Sequence, residues 1–179
     1  MNRLATGSLV LEPQIAAHAA EMFAVLSDPA IYEFENSAPV SAASLTERFT
    51  RLESRVSPDG AEQWLNWVVR LPTGALAGYV QATIKRDRTA HIAYELASRF
   101  WRQGIGTAAV SGMLAELAAT YGVCTFVATL KSRNQRSLAL LRRLGFEAVG
   151  SSDSDEVVMC KRVDGPVAKH NNKREDENR

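Results

Sequence analysis

The chain has 179 residues and balances 21 Lys and Arg against 20 Asp and Glu, so its formal net charge of +1 gives no field that would draw the whole molecule to nucleic acid or to an anionic membrane. Its length suits one domain with a full apolar core. No apolar stretch opens the chain as a signal peptide would, and no run reaches the roughly 18 apolar residues of a membrane span, so a cytoplasmic protein without membrane partners is expected.

In chain order, residues 8–12 form a short apolar run stopped by Pro13, after which Ile15, Ala19, Met22, Phe23 and Leu26 recur at helical spacing. A strand and then a helix over 14–26 are predicted. Residues 33–39 mix acids, Phe34 and small residues without a period, and Ser41 is placed to cap a second helix carrying Leu45, Phe49, Leu52 and Val56. Pro58, Asp59 and Gly60 mark a turn. Leu65, Trp67, Val69 and Leu71 then alternate with Trp64, Asn66, Val68 and Arg70, which predicts a strand with one strongly apolar face. A turn at 72–74 leads into a second alternating run over 76–84, and a third follows over 91–97, so three sequential antiparallel strands are expected.

The period then changes to helical at Gly104, with Ile105, Ala109, Met113, Leu117 and Tyr121 on one stripe and Gly122 as the stop. Residues 123–130 are rich in strand formers, and 134–144 are again helical, with Leu138, Leu141 and Leu144 on one side and Gly145 at the end. Residues 146–149 and 156–163 predict a last pair of strands around the polar loop 151–155. From 164 onward charge and Asn dominate, which predicts one domain over 1–163 and a disordered tail. The expected order is β α α β β β α β α β β. Cys124 and Cys160 keep no metal or redox spacing, and His18, His91 and His170 stand far apart, so no metal is expected.

The informative segment runs from Arg99 through Phe100, Trp101, Arg102, Gln103, Gly104, Ile105 and Gly106 to Thr107, where a strand gives way to a helix. Helix starts carry unpaired N–H groups and the positive end of the macrodipole, and glycines let phosphate oxygens approach that backbone closely. Without a ligand the same glycines would merely ease a turn. The Walker pattern fails because no Gly-Lys-Ser/Thr follows. Gly104, Gly106 and Ala109 satisfy a dinucleotide fingerprint, but 123–130 lacks the acid that motif requires about 20 residues on, which disfavours a nicotinamide enzyme.

This segment resembles the acyl-CoA signature of the GNAT superfamily of N-acetyltransferases: Gln or Arg, two free positions, Gly, one free position, then Gly or Ala. One strand later an Asn-led helix ends in Gly-Phe, and Asn134, Ser137, Leu144, Gly145 and Phe146 are similar to that second part. Trp101 departs from the usual Gln or Arg. An aromatic there, and the opening Leu9, Val10, Leu11, Glu12 and Pro13, resemble the RimJ/RimL-like branch that acetylates ribosomal-protein N-termini. The resemblance covers about 8–163. It implies an α/β (α+β) fold with a mixed, mostly antiparallel central sheet of about seven strands, splayed in the middle and flanked by about four helices.

The resemblance also implies acetyl-CoA as the donor. Its diphosphate would be held by Arg102, Gln103, Gly104, Ile105, Gly106 and Thr107 and its pantetheine arm by Asn134 and Ser137, while a main-chain N–H near Leu96 polarises the thioester carbonyl. Asn134 would equally serve as a helix N-cap. On strand alternation Glu95 points away from Ile92, Tyr94 and Leu96, which suits a general base or a plain solvated carboxylate. The family's tyrosine acid, four residues before the Gly of Gly-Phe, is replaced by Leu141, so Ser137 or water would supply the proton.

Acceptors of the family bind between the loop joining the first two helices and the loop joining the last two strands. Here Glu33 and Glu35, with Asp153, Asp155 and Glu156, would favour a cationic amine, and Tyr32, Phe34 and Trp67 would add aromatic contact. Lys131, Arg133 and Arg136 would meet the 3′-phosphate of the donor. The expected activity is acetyl transfer to a primary amine of a small molecule or a protein N-terminus, by a monomer or homodimer. The alternative is an acyl-CoA-binding sensor without turnover, motivated by Leu141.

Overall fold

The computed structural model describes residues 1–34, 36–151 and 153–163. Glu35 and the charged tail from residue 164 lie outside the described residues. Two short strands, β1 (Leu4–Thr6) and β2 (Leu9–Pro13), precede the helices α1 (Ala19–Leu26) and α2 (Ala42–Leu52). Three longer strands follow, β3 (Gln63–Arg70), β4 (Leu76–Ile84) and β5 (Thr89–Leu96), and then α3 (Ile105–Tyr121), β6 (Thr125–Lys131), α4 (Gln135–Arg143), β7 (Glu147–Gly150) and β8 (Glu156–Arg162).

The strands make one sheet in the order β1-β2-β3-β4-β5-β6-β8-β7. All neighbours are antiparallel except β5 and β6. The sheet therefore has eight strands where about seven were expected. The extra one, β1, pairs Leu4, Ala5 and Thr6 with Leu11, Val10 and Leu9.

Ser41 caps α2 as its position predicts: its side chain accepts from the Ser44 N–H, and the Ser44 hydroxyl accepts from the Ser41 N–H. Gln14–Leu26 is not one continuous helix. A 3-10 turn, Ala16–His18, precedes α1, so the regular helix begins only at Ala19.

Helices cover both faces of the sheet. Ala19, Met22, Leu45 and Phe49 of α1 and α2 pack on Val68, Leu76 and Tyr79, while Ala109, Met113 and Leu117 of α3 pack with Leu138 and Leu141 of α4 on Trp67, Val69, Val80 and Ile92. Hence β3 buries both faces, not the one its alternation suggests: Trp67, Val68 and Val69 are all 0% exposed. Burial on this scale, at about 25 cal/mol per Å² of apolar surface, dominates the favourable side of folding.

The feature that positions the site is a break in the sheet. β5 and β6 pair only over Thr89↔Thr125, Ala90↔Phe126 and His91↔Val127, yet each continues in register with its outer neighbour, β5 with β4 to Leu96 and β6 with β8 to Lys131. A wedge therefore opens between them. The Ala97 N–H donates to the Ala77 carbonyl at 3.0 Å, which fixes the phase of the β4–β5 ladder. Alternate residues of an antiparallel strand turn both main-chain groups to the same side, so Glu95 bonds toward β4 while Tyr94 and Leu96 present theirs to the wedge.

Candidate active site

Beyond β5 the chain makes a 3-10 turn, Ser98–Phe100, and enters α3 through Arg102 and Gly104, both at positive φ (58° and 78°). No side chain caps this helix, and its first internal bond runs from the Ala108 N–H to the Gly104 carbonyl at 3.0 Å. The amides of Ile105, Gly106 and Thr107 are thus left for an external acceptor, at the positive end of a 17-residue helix. Gly106 also allows close packing: a Cβ there would lie 3.0 Å from Leu140 Cδ1 and 3.1 Å from Leu96 Cδ1.

A cavity of about 530 Å³ lies against this helix start and is lined by Leu96, Trp101, Arg102, Gly104, Ile105, Gly106 and Thr107 on one side and by Asn134 and Ser137 on the other. A second cavity of about 440 Å³ opens on the α1–α2 side. The two share Ile31, Phe34, Tyr94, Glu95, Asn134 and Ser137, so they meet at the wedge. A long substrate reaching through the wedge from one cavity would meet a second substrate in the other.

Most predicted cofactor residues gather in the first cavity. Gln103 stands outside its lining, with its side-chain amide donating to the Arg99 carbonyl at 2.8 Å. Asn134 is the N-cap of α4, its Oδ1 accepting from the Ser137 N–H at 3.2 Å. Trp101 donates its indole N–H to the Leu96 carbonyl at 2.8 Å and thereby ties the glycine loop to the end of β5. Leu141, in the family's tyrosine position, is 1% exposed and belongs to the core.

The acceptor-side expectations need correction. Trp67 does not reach either cavity: it is wholly buried on the α3 face, its indole N–H donating to the Asn2 carbonyl at 2.9 Å. Glu33 is bound to Arg136 at 2.7 Å, and Asp155 and Glu156 both hold Lys131 at 3.0 Å. Three of the acids expected to attract a cationic substrate, Glu33, Asp155 and Glu156, therefore already have a basic partner, while no ion pair among the described residues engages Asp153. The same pairs occupy Lys131 and Arg136, and Arg136 additionally stacks over Trp101, 4.0 Å from the ring centroid. Tyr32 and Phe34 do line the second cavity, although the Tyr32 hydroxyl is engaged with the Leu26 carbonyl at 2.7 Å.

The residues surrounding Glu95 were not foreseen. Asn36 donates its side-chain N–H to Glu95 Oε1 at 3.1 Å, and Tyr79 is the cross-strand partner of Glu95 and lines the same cavity. Burial, with the Glu95 charge added, pushes the Tyr79 phenol up. The same two causes push Tyr32 up to about 12. Burial also pushes Tyr94 up to about 12, and its hydroxyl donates to the Ser137 carbonyl at 3.4 Å. All three phenols stay protonated near neutrality and act as donors. The register of the β4–β5 pair would have revealed Tyr79, because residues 79 and 95 face one another across it.

Among the described residues no group of three or more His, Cys, Asp and Glu could hold a metal ion, and no helix is long and apolar enough to cross a membrane. Cys124 and Cys160 are free and half-buried.

Comparison with known proteins agrees with this geometry. The family model described as an acetyltransferase (GNAT) domain matches residues 8–147. Among solved structures, a ribosomal-protein-S5-alanine acetyltransferase from Vibrio fischeri superposes with a TM-score of 0.80 at 16% identity, covering 90% of this chain and 97% of its own. RimL, a ribosomal L7/L12 alpha-N-protein acetyltransferase in complex with coenzyme A, gives 0.79 at 16% identity, covering 90% and 98%. A GNAT-family acetyltransferase from Bacillus anthracis gives 0.75 at 12% identity, again covering 90% and 98%. At these identities the likeness is one of fold. No curated protein matches the chain.

Proposed function

We propose, starting from the fact that the chain belongs to the GNAT acetyltransferase family, that it transfers the acetyl group of acetyl-CoA to a primary amine, either of a small molecule or at a protein amino terminus. The observation that carries this reading is the wedge joining two cavities, with uncapped helix amides on one side and Glu95 at the junction. The donor fits the chain: the α3 opening offers unsatisfied N–H groups for a diphosphate, and the unpaired β5 edge offers main-chain groups to an extended arm. Bound there, it would supply an acyl thioester.

The protein's own groups account for the remaining chemistry. The Leu96 N–H, turned into the wedge, is placed to hold the negative charge that gathers on the thioester oxygen. Glu95 would take a proton from the incoming ammonium, directly or through water, so that the neutral amine can attack: at neutral pH a peptide α-amine of pKa about 7.7–8.0 is mostly protonated and a lysine-like amine of about 10.4 almost wholly so. Asn36 holds the Glu95 carboxylate in place. With acetyl-CoA bound, the N–C bond would form and the C–S bond break, the second proton of the amine nitrogen passing to the leaving thiolate through Ser137 or water. The ribosomal-protein substrates of the fold relatives favour a peptide amino terminus over a drug-like amine.

Buried Leu141, which removes the customary proton donor, favours a second reading, an acyl-CoA binder without turnover. One assay separates them. Free thiol should appear from acetyl-CoA when the protein meets a panel of amines and peptides, at a rate proportional to protein concentration. Tight coenzyme A binding without thiol release from any acceptor would leave only the second reading.

A further inference from the structure

The second cavity carries two opposite charges. Among its described lining residues Glu95 and Arg48 alone are formally charged, and the others are polar or apolar. Arg48 comes from α2, on an exposed position flanked by the buried anchors Leu45 and Phe49. Among the described residues no ion pair engages its guanidinium. Tyr32 and Tyr79 feel both groups, the carboxylate pushing their phenols up and the guanidinium drawing them down. The cavity thus has a negative pole beside the wedge and a positive pole on the α2 wall.

We infer that the acceptor is dipolar, its amine lying at Glu95 and a carboxylate of the same molecule meeting Arg48. The inference rests on the proposed acetyl transfer and adds the chemical class of the acceptor. It replaces the acidic mouth expected from the loop acids, of which Glu33, Asp155 and Glu156 are occupied by Arg136 and Lys131. A guanidinium binds a carboxylate through two parallel hydrogen bonds, a recognition that an isosteric carboxamide cannot reproduce. Gln81 adds a further polar side chain to the cavity lining. Two sources supply this chemistry: free acidic amino acids, and peptide amino termini with Asp or Glu close behind the first residue.

The test compares acceptors that differ only in that group. Glutamic acid α-amide is set against glutamine α-amide, because free glutamine keeps an α-carboxylate that could itself meet Arg48, and the dipeptide Ser-Glu, its C-terminus amidated, against the matching Ser-Gln. The wild-type protein should prefer the carboxylate member of at least one pair by about tenfold or more in kcat/KM, and the pair that shows it identifies the source. In Arg48→Met that ratio should fall toward one, in Arg48→Lys it should partly return, and in Arg48→Glu it should invert. A wild-type ratio near one in both pairs, with measurable turnover, overturns the inference and leaves acetyl transfer standing. If no amine turns over, thermal melts with the same ligands in the presence of coenzyme A decide the matter. A carboxylate-specific rise that Arg48→Met abolishes supports the dipolar cavity although the enzymatic reading fails, and no such rise overturns both.

Discussion

Glu95→Gln is expected to lower kcat/KM for amine acetylation by about 10²- to 10⁴-fold while circular dichroism and thermal melts stay close to wild type. The carboxamide keeps the shape of the side chain and can still meet Asn36, but it cannot accept a proton from the incoming ammonium. The deficit should depend on pH in a defined direction. With no base in the protein, the variant must wait for amine already neutral in solution. That fraction rises about tenfold per pH unit below the pKa of the amine, about 7.7–8.0 for a peptide amino terminus. The gap between variant and wild type therefore narrows as pH rises. A pH–rate profile parallel to that of wild type would remove Glu95 from the role of base.

Gly78→Ala should be the most damaging single-methyl change in the sheet. A Cβ at residue 78 would sit 2.0 Å from the Glu95 carbonyl oxygen and 2.7 Å from Leu96 Cα, and neither backbone atom can yield without parting β4 from β5. The cost should reach about 3 kcal/mol or more, and at roughly 2–4 °C per kcal/mol in a chain of this size the melt should fall by about 6–12 °C. Activity should fall further than unfolding explains, because the displaced segment carries Glu95 and the Leu96 N–H. Gly104→Ala provides the contrast. Its φ of 78° disfavours a side chain, but no atom lies within 4 Å of the added Cβ, so a loss of only about 1–2 kcal/mol is expected. Equal melts for the two alanine variants would contradict this account of Gly78.

Local signals carried the elements far. The stripe from Ile105 to Tyr121 and the stop at Gly122 mark the ends of α3, the alternating run 76–84 coincides with β4, and Ser41 caps α2. β1 escaped because three residues are too few to establish a period, and only pairing with β2 makes them a strand. Trp67 was misplaced for a related reason. An aromatic on a strand can face a ligand or a core, and which it faces depends on helices far along the chain.

The turn of the glycine loop into α3 was legible because it is made by consecutive residues. The acceptor side was not, because it is assembled across the fold. The pair Glu33–Arg136 spans 103 residues, and Tyr79 reaches Glu95 only through the β4–β5 register. Glu33, Asp155 and Glu156, which look like part of a negative mouth along the chain, are in three dimensions one half of ion pairs. Such exposed pairs contribute little stability, about 0–1 kcal/mol each, but they do cancel the local field.

A crystal structure with coenzyme A bound tests the central claim most directly. Diphosphate oxygens should lie within about 2.7–3.2 Å of the main-chain nitrogens that open α3, at Ile105, Gly106 and Thr107, with the pantetheine arm running along β5 to Leu96. A ligand bound elsewhere, with those amides facing only water, would contradict it.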